Sequence, residues 1–323
     1  MAELTVLYRD VDRAPYLYTL RHCARSYDLD VELRRVASAV PMTGAAGADW
    51  GRLLERGEVD VIAENYWGLM TYAARGVPFL TVASTAHRWR ELLLVRPGVG
   101  RVEDLAGRRF AVRDTGPQAL FPGLWLEDAG LAGEVEQVVV PQRETGRWGH
   151  WKRVAEGECD ACFMSPLYAA PALAAGLTPI PHPGYDFEGG HVTLTTTERV
   201  VAERRPAVQA LVDAAFDANE LFRDERATAL AIAERDCADL LGEHFDLSSS
   251  PVAELYDLLR EEIAPDPVPT PAGIGTAHRL RSRTAPELAG YNPLLMWDLS
   301  FARAARRDRA TRQAQFVAEE ALW

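Results

Sequence analysis

The feature that most constrains this chain is a five-residue pattern written twice: Gly57-Glu58-Val59-Asp60-Val61 recurs one hundred residues later as Gly157-Glu158-Cys159-Asp160-Ala161. Each copy is followed by a helix-length stretch and a small-residue turn, Ala74-Arg75-Gly76 in the first and Ala174-Ala175-Gly176 in the second. The register extends backwards. A strand ending in Arg9-Asp10, a helical segment and a strand from Leu29 to Val36 precede the first copy; a strand ending in Arg113-Asp114, a helical segment and a strand from Val135 to Val140 precede the second. Alternating strands and helices of this kind imply an α/β fold, here in two similar halves. Ligands of open α/β sheets bind beyond the carboxyl ends of the strands, so two such halves facing each other would enclose a central ligand cleft.

The 323 residues exceed one ordinary domain and supply apolar residues for two cores. The expected division is a discontinuous first lobe, 1–88 with 191–323, and a second lobe, 89–190. With 35 basic against 47 acidic residues and a net charge of −12, the chain lacks the cationic surface that nucleic acid or an anionic membrane requires. Ala2 to Arg9 run directly into a strand without a basic leader, and no apolar run reaches membrane-span length, so the expectation is a cytoplasmic protein that does not insert into membranes. The four cysteines read as reduced thiols. Cys159 and Cys162 have CxxC spacing, but no second pair completes a zinc site. The 35 basic residues include a single lysine, Lys152, which alone could form a Schiff base and reads as a surface residue. No HxxH, HExxH, P-loop or nucleophile-elbow pattern occurs, so neither metal nor cofactor is expected.

Further along, His191 to Thr196 has the β-branched alternation of a strand and reads as the return to lobe one. Helices are predicted over Pro206 to Arg223, Asp224 to Leu241 and Pro251 to Ile263. Ala264 to Gly275, with four prolines, reads as a linker. A polar, Arg-rich helix from about Leu294 to Trp323 reads as mostly solvated, with packing over the lobe or a contact between identical subunits as its other uses.

The order of elements resembles the type II periplasmic-binding-protein fold, and within it the branch of the hydroxymethylpyrimidine phosphate synthases. The resemblance is carried by Ala14-Pro15-Tyr16-Leu17-Tyr18 with Asp28 to Leu33, by Gly57 to Ser84 containing Ala74-Arg75-Gly76-Val77-Pro78, by Val102 to Val112 and by Gly157 to Ala161, and it covers roughly residues 3 to 240. It implies a two-lobed fold with mixed sheets. The synthase chemistry does not carry over: where that family places a lysine for pyridoxal phosphate and a histidine one turn later, this chain has Glu64 and Gly68, and the cysteine-rich run on the return strand is replaced by His191 to Thr197. Cytoplasmic enzymes of the same fold that decarboxylate or desulfinate aromatic acids are similar in lacking an export signal, and the decarboxylases resemble the chain loosely through His87 and Arg88 at the crossover. The desulfinases use a cysteine in the loop after the first strand, where this chain has Asp10 to Arg13, with Cys23 too far along the helix to replace it.

On that fold the strand ends nominate the site. Glu64, His87 and His191 are the candidates for proton transfer, because a partly buried carboxyl or an imidazole can titrate near neutrality. Glu64 serves equally as a hydrogen-bond acceptor, and either histidine as a structural one. Arg9, Asp10, Asn65, Tyr66, Trp67, Arg88, Arg113, Thr115, Gly116, Gln118, Ser165 and Tyr168 are the candidate substrate contacts. Among these, Tyr66, Trp67 and Tyr168 would offer flat walls to an aromatic ligand. Asp114-Thr115-Gly116-Pro117 reads as either an anion-holding helix start assisted by Arg113 or an ordinary turn and cap. Together these imply an enzyme acting on a small aromatic or heteroaromatic anion, such as a decarboxylating lyase. The alternative is a non-catalytic solute-binding protein of the kind that serves transporters.

Overall fold

A computed structural model describes all residues except 37–45, Asn65, Arg90, Thr115, Pro117, Gln118, Arg147, 187–191, Asp246, 248–250 and 321–323. Strand β1 (Ala2–Tyr8) leads through a 3-10 turn into α1 (Ala14–Ala24), which carries Pro15 in its first turn, where a missing N–H costs nothing. Then come β2 (Leu29–Arg35), α2 (Ala46–Arg56), β3 (Val61–Glu64), a 3-10 turn with α3 (Met70–Ala73), and β4 (Phe79–Ser84). The chain continues through β5 (Arg88–Trp89), β6 (Leu92–Val95), β7 (Arg109–Arg113), α4 (Phe121–Asp128), β8 (Glu136–Val140), α5 (Gln142–Thr145), α6 (Lys152–Ala155), β9 (Ala161–Met164), α7 (Ala170–Ala174), β10 (Thr178–Ile180) and β11 (Tyr185–Asp186). It ends with β12 (Thr193–Thr197), α8 (Glu198–Asp224), α9 (Arg226–Gly242), α10 (Val252–Arg260), α11 (Pro271–Ser282) and α12 (Ser300–Glu320). Two compact units result: one holds Met1–His87, Asp186–His278 and Thr284–Trp323, the other Arg88–Tyr185 and Arg279–Arg283.

The first unit contains a five-stranded sheet ordered β2-β1-β3-β12-β4, with β1 parallel to β2 and β3 and with β12 antiparallel to β3 and β4. The second contains β8-β7-β9-β6-β10, with β7 parallel to β8 and β9, β6 antiparallel to β9, and β10 antiparallel to β6. The order is the same in both: second, first and third strands of the repeat, then an antiparallel strand, then the edge strand. The antiparallel strand is the one that arrives on a connection from the other unit, β12 in the first sheet and β6 in the second.

The repeated pentapeptide has the same structural task twice. Gly57 and Gly157 take φ of 74° and 79°, the left-handed conformation that favours glycine. Three residues on, the Asp60 carboxylate accepts the Thr5 amide at 2.9 Å while the Asp60 amide donates to the Thr5 carbonyl at 3.0 Å. Asp160 does likewise with Arg109, at 2.9 and 2.7 Å. Each aspartate thus clasps the start of the third strand to the first. Arginines cover both carboxylates: Arg204 at 3.0 Å from Asp60, and Arg96 and Arg108 at 2.6 and 3.3 Å from Asp160.

Three stretches depart from the sequence expectation. The helix expected from Pro206 begins at Glu198, where Thr197 caps it by accepting the Val200 amide at 3.2 Å, and it kinks at Arg204, which has non-helical φ and ψ ahead of Pro206. The proline-rich stretch expected to be a linker runs along the end of β4: the Ser84 amide donates to the Pro267 carbonyl at 3.0 Å and the Ala264 amide to the Thr85 carbonyl at 2.7 Å. Its last proline, Pro271, opens α11, as the fixed φ of proline allows. Finally, α12 is not merely solvated. Phe301, Ala302 and Ala305 are buried, and Arg309 pairs with Asp217 and Glu220 of α8. Among the described residues no helix is long and apolar enough to cross a membrane.

Candidate functional site

In the first unit the parallel register pairs Val6 with Val61 and Leu7 with Ile62, which carried two residues on sets Arg9 beside Glu64 at the strand ends. Glu64 is buried, and both carboxylate oxygens are engaged. Oε1 accepts the backbone amides of Arg9 and Asp10 at 3.0 and 3.1 Å, and Oε2 lies 3.2 Å from Nε of Arg13, itself buried. The Thr193 hydroxyl donates to the Glu64 carbonyl. Burial pushes the Glu64 carboxyl upward and Arg13 pulls it back, with Asp10 adding to the first effect and Arg9 and its amide to the second. Burial also opposes the charge on Arg13, but Glu64, Asp12, Asp10 and Glu262 outweigh it and hold the guanidinium proton more tightly than usual.

Arg9 is buried too. Its Nε donates to Asp10 Oδ1 at 2.9 Å and its guanidinium lies over the Trp50 ring at 5.5 Å from the centroid. Tyr66 is fully buried with its ring edge against Trp297, centroids 5.0 Å apart, so it packs the core rather than offering a wall to a ligand. Trp67 is buried as well. A ring nitrogen of His87 lies 3.1 Å from the Asp266 carbonyl oxygen. Cys23 sits buried near the end of α1, and its thiol is pushed up to about 12 by burial, with Asp217 and Glu225 adding to the shift. Asn65 and His191 lie outside the described residues, as does the side chain of Arg88.

In the second unit the register pairs Phe110 with Ala161 and Ala111 with Cys162, setting Arg113 beside Met164. Arg113 is 7% exposed, and its guanidinium lies over Trp148 at 4.2 Å from the ring centroid. Trp148 stacks on Tyr168 with centroids 4.6 Å apart and planes 13° from parallel. Ser165, half-buried, follows β9 directly. His150 is buried, with Nε2 donating to the Phe163 carbonyl at 2.7 Å. Burial lowers its pKa to about 4; the Phe163 bond resists that shift and the Arg113 charge reinforces it, so the ring is neutral near pH 7. Thr115 and Gln118 lie outside the described residues. The Gly116 carbonyl accepts the Ala119 amide at 3.1 Å, α4 begins at Phe121, and the Asp114 carboxylate accepts the Gln142 amide at 3.2 Å, at the start of α5. The reading of Asp114 to Pro117 as an anion-holding helix start or an ordinary turn falls partly outside the described residues, at Thr115 and Pro117.

The structure brings Arg9, Asp10 and Glu64 together in one unit, and Arg113, Ser165 and Tyr168 at the strand ends of the other. Sequence reasoning missed Arg13, Trp50, Trp148 and His150. A signal for the tryptophans was present, because Trp50-Gly51 and Trp148-Gly149 each stand shortly before a Gly-Glu-x-Asp copy.

No family model matches the chain, and no curated protein matches it. Solved structures do. The putative periplasmic sulfonate-binding protein SsuA from Methylobacillus flagellatus KT matches with a TM-score of 0.68 at 14% identity, over 96% of this chain and 95% of that one. The fold is that of the two-lobed periplasmic binding proteins. The alkanesulfonate-binding SsuA from Xanthomonas axonopodis pv. citri, bound to MOPS, shares this fold at a TM-score of 0.56 and 16% identity, over 92% and 96% of the two chains. A point mutant of the desulfurization enzyme DszB, in complex with biphenyl-2-sulfinic acid, shares it at 0.59 and 16%, over 95% and 100%. At these identities the periplasmic-binding-protein likeness establishes architecture, and the synthase and decarboxylase branch gains no support from it.

Proposed function

We propose that this chain is a small-molecule-binding protein whose ligand is an organic anion of the sulfonate, sulfinate or carboxylate class. The observation that carries the reading is Arg113: a buried guanidinium at the carboxyl end of β7, laid over Trp148, which itself stacks on Tyr168. A guanidinium offers planar, forked donors that match such oxyanions, and the aromatic ring holds the fork in place. The names of the structural neighbours support the ligand class, since they include two sulfonate-binding proteins and an enzyme holding a sulfinic acid. Binding is favoured over lyase chemistry because Glu64 has both oxygens engaged and His87 has a ring nitrogen against a backbone carbonyl, which leaves the described proton-transfer candidates committed to structural contacts.

The test is thermal shift and calorimetry with ethanesulfonate, benzenesulfonate, benzenesulfinate and benzoate. A ligand that binds only the folded state raises its melting temperature. At least one of the four is expected to do so, and Arg113→Ala should weaken that binding about tenfold or more, as loss of a charge-assisted contact of about 1.5–3 kcal/mol requires. Consumption of the bound anion on incubation, or equal affinity in Arg113→Ala, overturns the reading.

A further inference from the structure

In the second unit, the chain that enters and leaves the end of β10 carries a proline at every other position, Pro179, Pro181 and Pro183. β10 pairs antiparallel with β6, Ile180 opposite Leu93, and the same register carried two residues on sets His182 opposite Glu91. Pro181 and Pro183 have no N–H, so the backbone there cannot extend the ladder from its own donors. The His182 side chain takes over. Its Nε2 lies 2.7 Å from the Glu91 carbonyl oxygen, and its Nδ1 lies 2.9 Å from the Pro183 carbonyl oxygen. Edge contacts with Trp125 of α4 and Phe163 of β9, at centroid distances of 6.1 and 5.0 Å, hold the plane of the ring.

A neutral imidazole has one N–H and one lone pair. It can donate to one of these carbonyls but turns its lone pair on the other, whereas the doubly protonated ring donates to both. We propose that His182 is a proton-operated clasp: with both ring nitrogens protonated it fastens the segment leaving β10 to the strand entering β6, and loss of one proton opens one of the two bonds. The clasp lies wholly within the second unit, shortly before the chain leaves that unit after Tyr185. The elements packed against the ring carry other charged and titratable groups. Glu91 has a buried carboxyl; α4 has Glu127 and Asp128, paired with Arg283 and Arg279; β9 has Cys162, whose thiol burial pushes well above its usual range, and follows Asp160, paired with Arg96 and Arg108. Arg90 lies outside the described residues. Glu91 is thus the group whose titration must be told apart from that of His182.

The test follows the His182 ring by NMR in the isotope-labelled parent protein from about pH 5 to about pH 9, a span that brackets the ordinary titration of an imidazole. At the acid end both ring N–H protons are expected to be visible and slow to exchange with water, as protons held by carbonyls are. At the alkaline end one remains. Over the same span, hydrogen exchange of the Gly184 and Tyr185 amides, corrected for its intrinsic dependence on pH, should quicken about threefold or more as the bond opens. His182→Gln, which has donors on one atom only, should show the faster exchange at both ends. Glu91→Gln removes the neighbouring carboxyl, keeps the accepting carbonyl, and should leave the pH dependence as in the parent. A single slow ring proton at the acid end, the same pH dependence in His182→Gln, or its loss in Glu91→Gln overturns the proposal. The ring protons are read in the parent protein, so they decide the matter even if His182→Gln folds poorly.

Discussion

The ends of β1 and β7 are the same position of the repeat treated in two ways. Arg9 directly follows β1 and Arg113 ends β7, each laid over the tryptophan of a Trp-Gly pair, Trp50 and Trp148. The next strand differs. Beside Arg9 it supplies Glu64, which draws in a second arginine and ties down the loop; beside Arg113 it supplies Met164, and the arginine rests against a tryptophan already stacked on Tyr168. In the first unit Glu64, Asp12 and Asp10 act on the Arg13 guanidinium; in the second the acid next in sequence to Arg113 accepts the Gln142 amide at the start of α5. The repeat thus lays an arginine over a tryptophan in both units, with Glu64 bound to the backbone beside it in the first and Trp148 stacked on Tyr168 in the second.

Copying the methionine into the first unit should break this difference most severely. Glu64→Met leaves Arg13 buried without its partner, and removing one member of a buried pair costs about 3–5 kcal/mol, whereas removing both is often close to neutral. Urea unfolding is therefore expected to show a large loss in Glu64→Met and recovery of most of it in Glu64→Met with Arg13→Met. Equal stabilities in the single and double variants would mean the pair is not what Glu64 contributes.

The second difference is acid sensitivity. His150 follows Trp148-Gly149, and its counterpart after Trp50-Gly51 is the exposed Arg52. A buried histidine with a pKa lowered to about 4 is neutral in the fold and protonates first in the unfolded chain. Its stabilising contribution is thus complete above the unfolded value near 6.5 and is lost as pH falls through the folded one, a total of about 3 kcal/mol. Stability measured from pH 7 to pH 4 should fall by about that amount in the parent, beyond the slope seen in His150→Gln. A parallel decline in both proteins would remove His150 as the cause.

Where the units agree, the variants should agree too. Asp60→Ala and Asp160→Ala each remove a carboxylate from a first-strand amide and from arginine, and hydrogen bonds to charged groups are worth about 1.5–3 kcal/mol. Both should lower the urea midpoint, Asp160→Ala the more, because that carboxylate is the more buried and holds Arg96 and Arg108 where Asp60 holds Arg204. A neutral Asp60→Ala beside a costly Asp160→Ala would show that the motif is shared in sequence but not in energetics.

This architecture was legible because its signals are local. A glycine with positive φ, an aspartate three residues later and alternating apolar strands occur within short windows, and their recurrence gave two halves before any contact was known. The site was legible only as a set of strand ends. Which groups meet there depends on register between strands 55 residues apart in the chain, as with Arg9 and Glu64, and composition does not encode that. Hence Tyr66, read as a ligand wall, is buried with its ring edge against Trp297, and Glu64, read as a proton-transfer group or an acceptor, accepts two backbone amides and faces Arg13. The prolines between Ala264 and Pro271 misled for a related reason: an extended segment bonded along β4 and a free linker have the same composition.

The smallest expected effect is the sharpest check on the turn itself. Gly57 and Gly157 both have positive φ, and placing alanine in that conformation costs roughly 1–2 kcal/mol. Around Gly157 a methyl group meets nothing within 4 Å, so Gly157→Ala reports backbone strain alone. At Gly57 the added carbon would come within 2.5 Å of Nη2 of Arg199, the tip of a flexible side chain whose other terminal nitrogen pairs with Glu203 at 3.1 Å. That tip can move away, and the pair it makes is exposed, a class of contact worth at most about 1 kcal/mol. Gly57→Ala is therefore expected to cost the same strain plus a few tenths of a kcal/mol, roughly, for the displaced arginine, and Arg199→Ala should remove only the excess. If Gly157→Ala proves neutral, the left-handed turn is not what keeps glycine at the head of both copies.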